Sequence, residues 1–177
     1  MTIAAKSVPA FRWCRDEADA RALAKLFAAN ITPSYVSHSE LQGARALAPG
    51  VWSTDIAQVL ERELTSRVSN PLDAPAGGVT YLVAALAIEG RDVGVFLVTF
   101  SREAHAPFAI LEDIVIEQSH RAKGFGAQYL DWITRECKAR GIARMFLESG
   151  HDNHRAHDFF ERAGFAPVSV VMMKDIE

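Results

Sequence analysis

Two neighbouring carboxylates and a basic, glycine-containing hexad lie close together in this sequence. Glu112 and Asp113 fall within an apolar run, and the hexad Arg121-Ala122-Lys123-Gly124-Phe125-Gly126 begins shortly after it. A carboxylate within an apolar run is expected to be partly buried, which suits it to binding an amine or relaying its proton. Glycines let an anion approach the backbone closely. The alternatives are an ion pair with a neighbouring cation for the carboxylates and a structural turn for the glycines.

The segments on either side of the hexad predict how it is positioned. A strand over Leu111–Ile116 precedes it, and an amphipathic helix over Gly124–Arg140, closed by Gly141, follows it. A helix N-terminus presents unpaired N–H groups and a partial positive charge, so such a junction can bind an anion. Arg121 and Lys123 add positive charge at its rim. The hexad matches neither the P-loop nor the dinucleotide-binding fingerprint.

Apolar periodicity divides the rest of the chain into helices and strands. Three strand-like runs follow one another, and the stretch EGRD between the first two is typical of a hairpin turn. A strand meander followed by strand–loop–helix–strand–helix–strand predicts an α/β (α+β) fold with helices packed on a mixed sheet. The predicted strands are 11–14, 79–88, 93–100, 108–116, 143–148 and 168–174, and the predicted helices are 16–29, one or two turns within 40–47, 54–68 with Thr54 as its cap, 124–140 and 153–163.

Composition and charge narrow the class of protein. The 177 residues include 49% hydrophobic and 23% charged residues and carry a net charge of −3, which predicts one globular domain over 1–177. Nothing resembles a signal peptide or a membrane-spanning run, so we expect a cytoplasmic protein with no membrane partner. The negative charge argues against a nucleic-acid partner. Cys14 and Cys137 have no metal-binding or redox spacing and are expected to be reduced.

Three segments carry a resemblance to the GCN5-related N-acetyltransferase (GNAT) superfamily. The family's acetyl-CoA signature is Arg or Gln, two residues, Gly, one residue, then Gly or Ala, and it is met by Arg121, Gly124 and Gly126. The stretch NHRAHDFFERAGF, residues 153–165, is similar to the family's Asn-x-x-Ala-x-x-Phe-Tyr-x-x-x-Gly-Phe segment, and LEDIVI, residues 111–116, resembles its fourth strand. The resemblance implies the GNAT fold, a mixed, mostly antiparallel twisted sheet of about seven strands flanked by about four helices.

The activity implied by this resemblance is direct attack of a substrate amine on the thioester of acetyl-CoA, the acyl donor. Residues 1–78 would then form the acceptor-side helices and loop, and residues 79–177 the sheet and the acetyl-CoA-binding core. Glu112 and Asp113 would bind the amine or relay its proton, but successive side chains on a strand point to opposite faces, so only one normally reaches the acceptor. The residues implied to bind acetyl-CoA are Ile114, Val115, Ile116, Arg121, Ala122, Lys123, Gly124, Phe125, Gly126, Asn153 and Phe160.

One position departs from the family pattern. Where the family has a tyrosine near the sulfur, this sequence has Phe160, and a phenyl ring has no proton to give to the departing thiolate. Ser149 and His157 are the nearest alternative acids in the sequence; otherwise water supplies the proton or the thiolate leaves without one. The departure keeps open a non-catalytic acyl-CoA-binding or regulatory domain. A phosphate-binding domain unrelated to coenzyme A is a further alternative.

The expected acceptor is a primary amine of a small metabolite or antibiotic-like molecule, with a peptide amine as the alternative. The histidine-containing run 151–157 could hold a metal, but a polar helix start capped by Asp152 or Asn153 explains it as well, and no metal site is expected. Homodimers are common in the family. The candidate acceptor-pocket residues, which are equally common as core or surface residues, are Tyr35, Ser37, His38, Glu40 and Trp52.

Overall fold

The computed structural model describes residues 8–68, 78–102 and 105–176. Their contacts group the chain into two compact units, Met1–Ile31 with Asp55–Glu148, and Thr32–Thr54 with Ser149–Glu177. The expectation of one domain over the whole chain stays a prediction. In chain order the described elements are β1 (Ala10–Trp13), α1 (Glu17–Asn30), α2 (His38–Gln42), β2 (Ala46–Ala48), β3 (Val51–Trp52), α3 (Ile56–Val68), β4 (Val79–Ile88), β5 (Arg91–Ser101), β6 (Phe108–Ile116), α4 (Phe125–Ala139), β7 (Arg144–Leu147) and α5 (His154–Arg162).

The first unit is built on a five-stranded sheet in the order β1-β4-β5-β6-β7. Its first four strands pair antiparallel, and β7 joins parallel to β6. The prediction of a mixed, mostly antiparallel sheet with flanking helices is therefore confirmed. The expectation was one sheet of about seven strands. Among the described residues, five strands form this sheet, and β2 and β3 form a separate two-stranded sheet.

The turn between β4 and β5 is a tight hairpin. Glu89 and Gly90 have φ angles of 52° and 79°, the left-handed values that a two-residue type I′ turn requires. This turn matches the right-handed twist of the strands, so the long β4–β5 ladder from Val79–Ser101 to Ile88–Arg91 follows from it. The hairpin expected from EGRD is confirmed.

Helices cover the sheet and bury its apolar side chains. Helix α1 contacts α3 and β5, and α3 contacts β4. Leu23, Leu60 and Leu64 from these helices are completely buried. Helix α4 packs through Tyr129, whose ring stacks on that of Phe96 in β5 at a centroid distance of 3.7 Å. Helices α1 and α4 also contact β6.

A charge network joins β1 to α1 and β5. Arg12 donates to both carboxylate oxygens of Asp19, at 2.5 and 2.9 Å, and to Asp92 at 2.6 Å. The backbone N–H of Arg15 adds a third donor to Asp19 at 3.0 Å. The Asp19 side chain is only 5% exposed, so these donors compensate for its lost hydration.

The second unit contains α2, the β2–β3 hairpin, α5 and the C-terminal segment. Gly150 packs against backbone carbonyl oxygens of Ser34 and Val36, where an added Cβ would lie 2.6 and 2.5 Å away. The helical turns expected within 40–47 are wrong at their C-terminal end, since α2 ends at Gln42 and β2 begins at Ala46. The cause is a backbone pairing with β3, which a short helical pattern does not reveal.

The strand predicted over 168–174 is also wrong. This stretch has no strand assignment, and Val170 and Met172 are 87% and 90% exposed. Valine-rich composition favours a strand only where a neighbouring strand supplies hydrogen bonds and packing. Among the described residues, no helix has the length and apolarity needed to cross a membrane.

Candidate functional site

The pairing between strands β6 and β7 ends in the middle of β6. Their parallel pairing runs from Phe108–Arg144 to Leu111–Leu147 and stops there, because β7 ends. Strand β6 continues to Ile116 and stays paired with β5 along its other edge. Beyond Leu111, no strand among the described residues pairs with the edge of β6 that faces β7. Such an edge can accept an extended ligand that hydrogen-bonds like an added strand.

A β-bulge falls at the start of this open edge. The register changes between the pairs Leu97–Asp113 and Val98–Leu111, so Glu112 is the extra residue of β6. Bulges redirect a side chain and often lie beside active sites. The two candidate carboxylates thus enter different environments: Glu112 is 26% exposed in its side chain, whereas Asp113 is only 1% exposed.

Glu112 is held by a buried arginine from α3. Nη1 of Arg67 donates to Oε1 of Glu112 at 3.3 Å, and Nη2 donates to Oε2 in a short contact. The hydroxyl of Thr99 in β5 also donates to Oε1. The Glu112 carboxylate is therefore hydrogen-bonded to side chains of both α3 and β5. The alternative of an ion pair with a neighbouring cation is thus present in this structure.

Sequence reasoning missed Arg67. Its side chain is 8% exposed, contacts Glu63 one turn earlier in α3 at 3.3 Å, and lies 5.6 Å from the ring centroid of Tyr81. The spacing of Glu63 and Arg67 predicts an ordinary intrahelical ion pair. Only the packing of α3 on the sheet brings this arginine to Glu112.

Asp113 lies in the interior, in the part of the protein where α4 contributes Tyr129. Burial raises the pKa of the Tyr129 phenol far above its ordinary value, and the charges of Cys137 and Asp113 raise it further. Among the described residues, the Tyr129 hydroxyl has no hydrogen-bond partner. The bulge thus leaves Glu112 as the more accessible of the two carboxylates, which the sequence could not rank.

The glycine hexad forms an exposed loop at the start of α4. A short 3₁₀ turn over Gln118–His120 leads into it. Ala122 and Gly124 both have left-handed backbone, with φ of 59° and 83°. The first backbone bond of α4 runs from the N–H of Gln128 to the carbonyl of Gly124 at 3.1 Å. The N–H groups of the first helical turn therefore have no intrahelical acceptor and can serve an anion.

Donor groups of this kind fit a pyrophosphate. Within the described part of the chain, a Cβ on Gly124 would meet nothing closer than the Gln128 side chain at 4.0 Å, which leaves room for a ligand at this residue. Lys123 is exposed and can add a positive charge. Backbone dipoles and a helix N-terminus together bind phosphate groups in many proteins.

Arg121 hydrogen-bonds to backbone carbonyls on either side of the loop, and its expected contact with a phosphate stays a prediction. Its Nε donates to the carbonyl of Ile116 at 2.8 Å, and its Nη2 donates to the carbonyl of Asn30 at 2.5 Å. The Asn30 side chain in turn accepts from the N–H of Gln118 at 3.2 Å. The guanidinium thus ties the loop to the C-terminal end of α1.

A second tie holds the loop to the β4–β5 hairpin. Arg91 donates to both oxygens of Glu117 at 2.7 and 2.8 Å. These hydrogen bonds lower the pKa of Glu117, and His120 contributes a smaller effect in the same direction. Open space of about 560 Å³ lies between this segment and the end of α1, lined by Ala29, Asn30, Glu117, Gln118 and Ser119.

Asn153 and Phe160 lie in the second unit. The N–H of Asn153 donates to the carbonyl of Gly150 at 2.9 Å, and its own carbonyl begins α5. The Phe160 ring lies 5.0 Å from that of Phe159 and 5.7 Å from that of Phe165. Their predicted contact with acetyl-CoA stays a prediction.

The acceptor-pocket candidates also lie in the second unit. Glu40 is buried: it accepts from the N–H and hydroxyl of Ser37 at 2.8 and 2.6 Å and pairs with Arg45 at 3.3 Å. This carboxylate therefore has a capping role. The rings of Tyr35 and Trp52 lie 6.2 Å apart, and His38 begins α2. No group of three or more metal-ligating side chains occurs among the residues that the structure describes.

Comparison with known proteins gives findings from a family profile, a relative and solved structures. The profile of the Acetyltransferase (GNAT) family matches residues 49–165. An uncharacterized N-acetyltransferase of Bacillus subtilis, YobR, is 37% identical over 59 residues, which is 33% of this chain and only 24% of that protein's length.

Two solved structures share the fold. The aminoglycoside N-acetyltransferase AAC(6')-Iy, in complex with CoA, superposes with a TM-score of 0.64 at 12% identity and covers 99% of both chains. A ribosomal-protein-alanine N-acetyltransferase from Brucella melitensis gives a TM-score of 0.62 at 12% identity over 96% of this chain and 100% of that one. At such identities the likeness establishes the fold, and the family match spans most of the chain. The protein therefore belongs to the acetyltransferase (GNAT) family.

Proposed function

We propose that this protein is an N-acetyltransferase that moves the acetyl group of acetyl-CoA to a primary amine of a small-molecule acceptor. The observation that carries the proposal is the parting of β6 from β7 after Leu111, immediately before a bulge that presents Glu112. The open strand edge then leads directly into the anion-binding loop before α4. One continuous path thus offers groups for an extended thioester arm and for its pyrophosphate.

The donor side uses backbone groups. The edge of Ile114, Val115 and Ile116 pairs with the amide-containing arm of coenzyme A, and a backbone N–H of this edge polarises the thioester carbonyl. The loop from Ala122 to Gly126 and the first turn of α4 bind the pyrophosphate, with Lys123 at the rim. Acetyl-CoA supplies an activated acyl group, because the thiolate of coenzyme A is a good leaving group.

Arg121 takes a different role in this proposal from Lys123. Because its guanidinium is bonded to two backbone carbonyls, it shapes the loop, and the direct phosphate contacts come from backbone N–H groups. The rest of the donor set is unchanged from the sequence-based expectation, including Asn153 and Phe160.

The acceptor side uses the accessible carboxylate. Glu112 binds the ammonium of the acceptor and takes part in removing its proton. The buried Asp113 helps to hold this part of β6 in place from the interior. The amine nitrogen forms a bond to the acetyl carbon as the carbon–sulfur bond breaks, and a proton returns to the thiolate. Phe160 cannot donate that proton, so water, Ser149 or His157 serves instead.

The test combines binding with turnover. We expect calorimetric titration with acetyl-CoA to show selective binding, with ATP as the control for unspecific phosphate affinity. Three acceptors are then compared by following thiol release and the mass of the product. They are spermidine, kanamycin and a peptide with alanine at its N-terminus, called the alanine-terminated peptide below. Selective binding with turnover of an amine supports the proposal, and a folded protein without acetyl-CoA binding refutes it.

A non-catalytic acyl-CoA-binding domain is the second candidate. It is favoured by Phe160 at the position of the family's tyrosine and by the engagement of Glu112 with Arg67. The double variant Glu112→Gln/Asp113→Asn separates the two functions. In an enzyme, turnover collapses while acetyl-CoA affinity remains, whereas a binding domain shows no amine-dependent thiol release in either form.

The setting of this activity is proposed from composition. A net charge of −3 suits a cationic small molecule better than a nucleic acid, whose binding requires a basic surface. Two cysteines, neither in a disulfide, suit the reducing cytoplasm. A homodimer is part of the proposal only by family resemblance, and sedimentation analysis tests it.

A further inference from the structure

We propose that Arg67 is a positioning residue for the acceptor: its guanidinium fixes the Glu112 carboxylate at the start of the open edge of β6 so that Glu112 can receive a cationic amine. The inference rests on the proposed function and deepens it, because it assigns the acceptor end of the site to a cluster that the family signature does not contain. We call Glu63, Arg67, Thr99 and Glu112 the α3–β6 cluster.

The geometry of the cluster is a fork on a carboxylate. Both Nη atoms of Arg67 donate to Glu112, one to each oxygen. Bidentate pairs of this kind combine strength with a defined orientation. The Thr99 hydroxyl donates to the same carboxylate from β5. A carboxylate has about four acceptor positions, so the three donors among the described residues leave one for an incoming N–H.

The arginine of the cluster is more deeply buried than its two carboxylates. The Arg67 side chain is 8% exposed, whereas those of Glu63 and Glu112 are 29% and 26% exposed. The positive charge therefore lies beneath, and the two carboxylates lie toward solvent. An ammonium group that approaches the solvent side of Glu112 therefore meets the carboxylate before the guanidinium, which favours a cationic substrate over a carboxylate substrate.

The cluster lies where the chemistry of the proposed function requires an amine. Glu112 is the bulged residue that follows the last β6–β7 pair, Leu111–Leu147. Tyr81 of β4 is paired with Thr99 in the sheet, is 44% exposed, and places its ring 5.6 Å from the Arg67 guanidinium. An exposed aromatic ring beside two carboxylates is a suitable surface for an organic cation.

A purely structural tie between α3 and the sheet is the competing explanation. Helix α3 already has Leu60 and Leu64 completely buried, so its attachment does not depend on one ion pair. A structural role for Arg67 changes stability and leaves the acceptor dependence unaltered. A positioning role changes the specificity constant for the amine only while Glu112 is present.

The experiment is a double-mutant cycle on the full-length protein. Arg67→Met, Glu112→Gln and the double variant are compared with wild type, using whichever of spermidine, kanamycin or the alanine-terminated peptide is turned over fastest. Arg62→Met is the matched control, because Arg62 is an exposed arginine on the same helix. Arg67→Lys keeps the charge but loses the fork, and it replaces Arg67→Met if the latter does not fold. Acetyl-CoA affinity is measured for every variant.

The expected result is a loss of about 10- to 100-fold in kcat/KM for the amine in Arg67→Met, the range that a charge-assisted hydrogen bond supports. Arg67→Lys should be intermediate and Arg62→Met unchanged. Adding Arg67→Met to Glu112→Gln should cost no more than about twofold, because the two residues act as one unit. Acetyl-CoA affinity should stay within about twofold throughout.

Two results overturn the inference and leave the proposed function intact. One is an equal loss from Arg67→Met with and without Glu112. Another is an unchanged kcat/KM in Arg67→Met. A wild-type protein that binds acetyl-CoA but acetylates none of the three amines overturns the inference together with the proposed transfer, since Glu112 would then receive no amine. Absence of acetyl-CoA binding in the wild type instead refutes the proposed function itself.

Discussion

Arg121 and Asn30 tie the glycine loop to the first helix. The Nη2 atom of Arg121 donates to the Asn30 carbonyl at 2.5 Å, and its Nε donates to the carbonyl of Ile116 at 2.8 Å. A residue expected at a phosphate-binding rim therefore satisfies the orphan carbonyl of a helix end, which is one way in which proteins complete helix C-termini.

Replacing Arg121 with alanine should lower stability, and replacing Lys123 should not. The first change removes two hydrogen bonds to backbone carbonyls, and their partial exposure limits the loss to about 1 kcal/mol, or about 2–4 °C in Tm. Lys123 is exposed, and its removal should leave Tm unchanged while weakening acetyl-CoA binding. Thermal unfolding of both variants is the measurement, and an equal Tm for the two would contradict the tie.

The glycine before α4 should matter for binding, and the glycine after α4 only for stability. Gly124 and Gly141 have similar left-handed φ angles of 83° and 69°, so alanine at either position costs about 1 kcal/mol of backbone strain. Only Gly124 lies in the proposed pyrophosphate loop. Calorimetry should therefore show acetyl-CoA affinity reduced about tenfold in Gly124→Ala and unchanged in Gly141→Ala. Equal affinities would place the phosphate elsewhere.

Tyr129→Phe should leave the protein as stable as the wild type or make it slightly more stable. The buried hydroxyl of Tyr129 has no hydrogen-bond partner among the described residues, so its removal relieves a desolvated polar group and keeps the stacking on Phe96. Urea unfolding should show a free energy of unfolding within about 0.5 kcal/mol of wild type or above it. A loss of more than about 1 kcal/mol would reveal a partner for the hydroxyl.

Asp19 should make stability depend on pH in the acidic range. Burial alone raises the pKa of Asp19, but hydrogen bonds from Arg12 and Arg15 outweigh it and hold that pKa well below its usual range. Because the folded-state pKa is depressed, the stabilisation is complete above the unfolded pKa of about 4 and is lost as pH falls below that value.

The measurement is urea unfolding at several pH values between neutral and strongly acidic. Asp19→Asn should be less stable at neutral pH by about 2 kcal/mol and should lose less stability on acidification. Asp131→Asn, at an exposed position of α4, is the control and should follow the wild-type curve. A parallel pH dependence of Asp19→Asn and wild type would exclude this assignment.

Both cysteines should react slowly in the native state. Burial raises the pKa of the Cys14 thiol and of the Cys137 thiol to about 11, so very little thiolate exists at neutral pH. Iodoacetamide labelling followed by mass spectrometry should be slow in the folded protein and much faster in urea. Rapid native labelling of either residue would show that its thiol is accessible and ionised.

Several local features were predictable from the sequence. The bounds of β4 and β6 agree with the apolar runs, and the Glu89–Gly90 turn follows from residues that tolerate left-handed backbone. The placement of the glycine hexad before a helix was also correct. These features depend on side-chain periodicity and on the conformational preferences of single residues, which neighbouring residues along the chain largely decide.

Other expectations failed where partners distant in sequence decide the outcome. The stretch 168–174 has strand-forming composition but no strand, while Ala46–Ala48 forms one by pairing with β3. The propensity of a segment does not determine whether a partner strand is available to it.

The candidate site likewise has features that follow from local sequence and features that depend on residues distant in the chain. The sequence by itself determined that two carboxylates precede a basic, glycine-containing loop at a helix N-terminus, because residue types and their spacing are local information. Only the tertiary structure decided that Glu112 and not Asp113 is accessible, that Arg67 grips Glu112, and that Arg121 bonds to Asn30. The physical reason is that a bulge in β6 and the packing of α3 and α1 on the sheet bring together side chains far apart in sequence, and hydrogen bonding and burial then select among them.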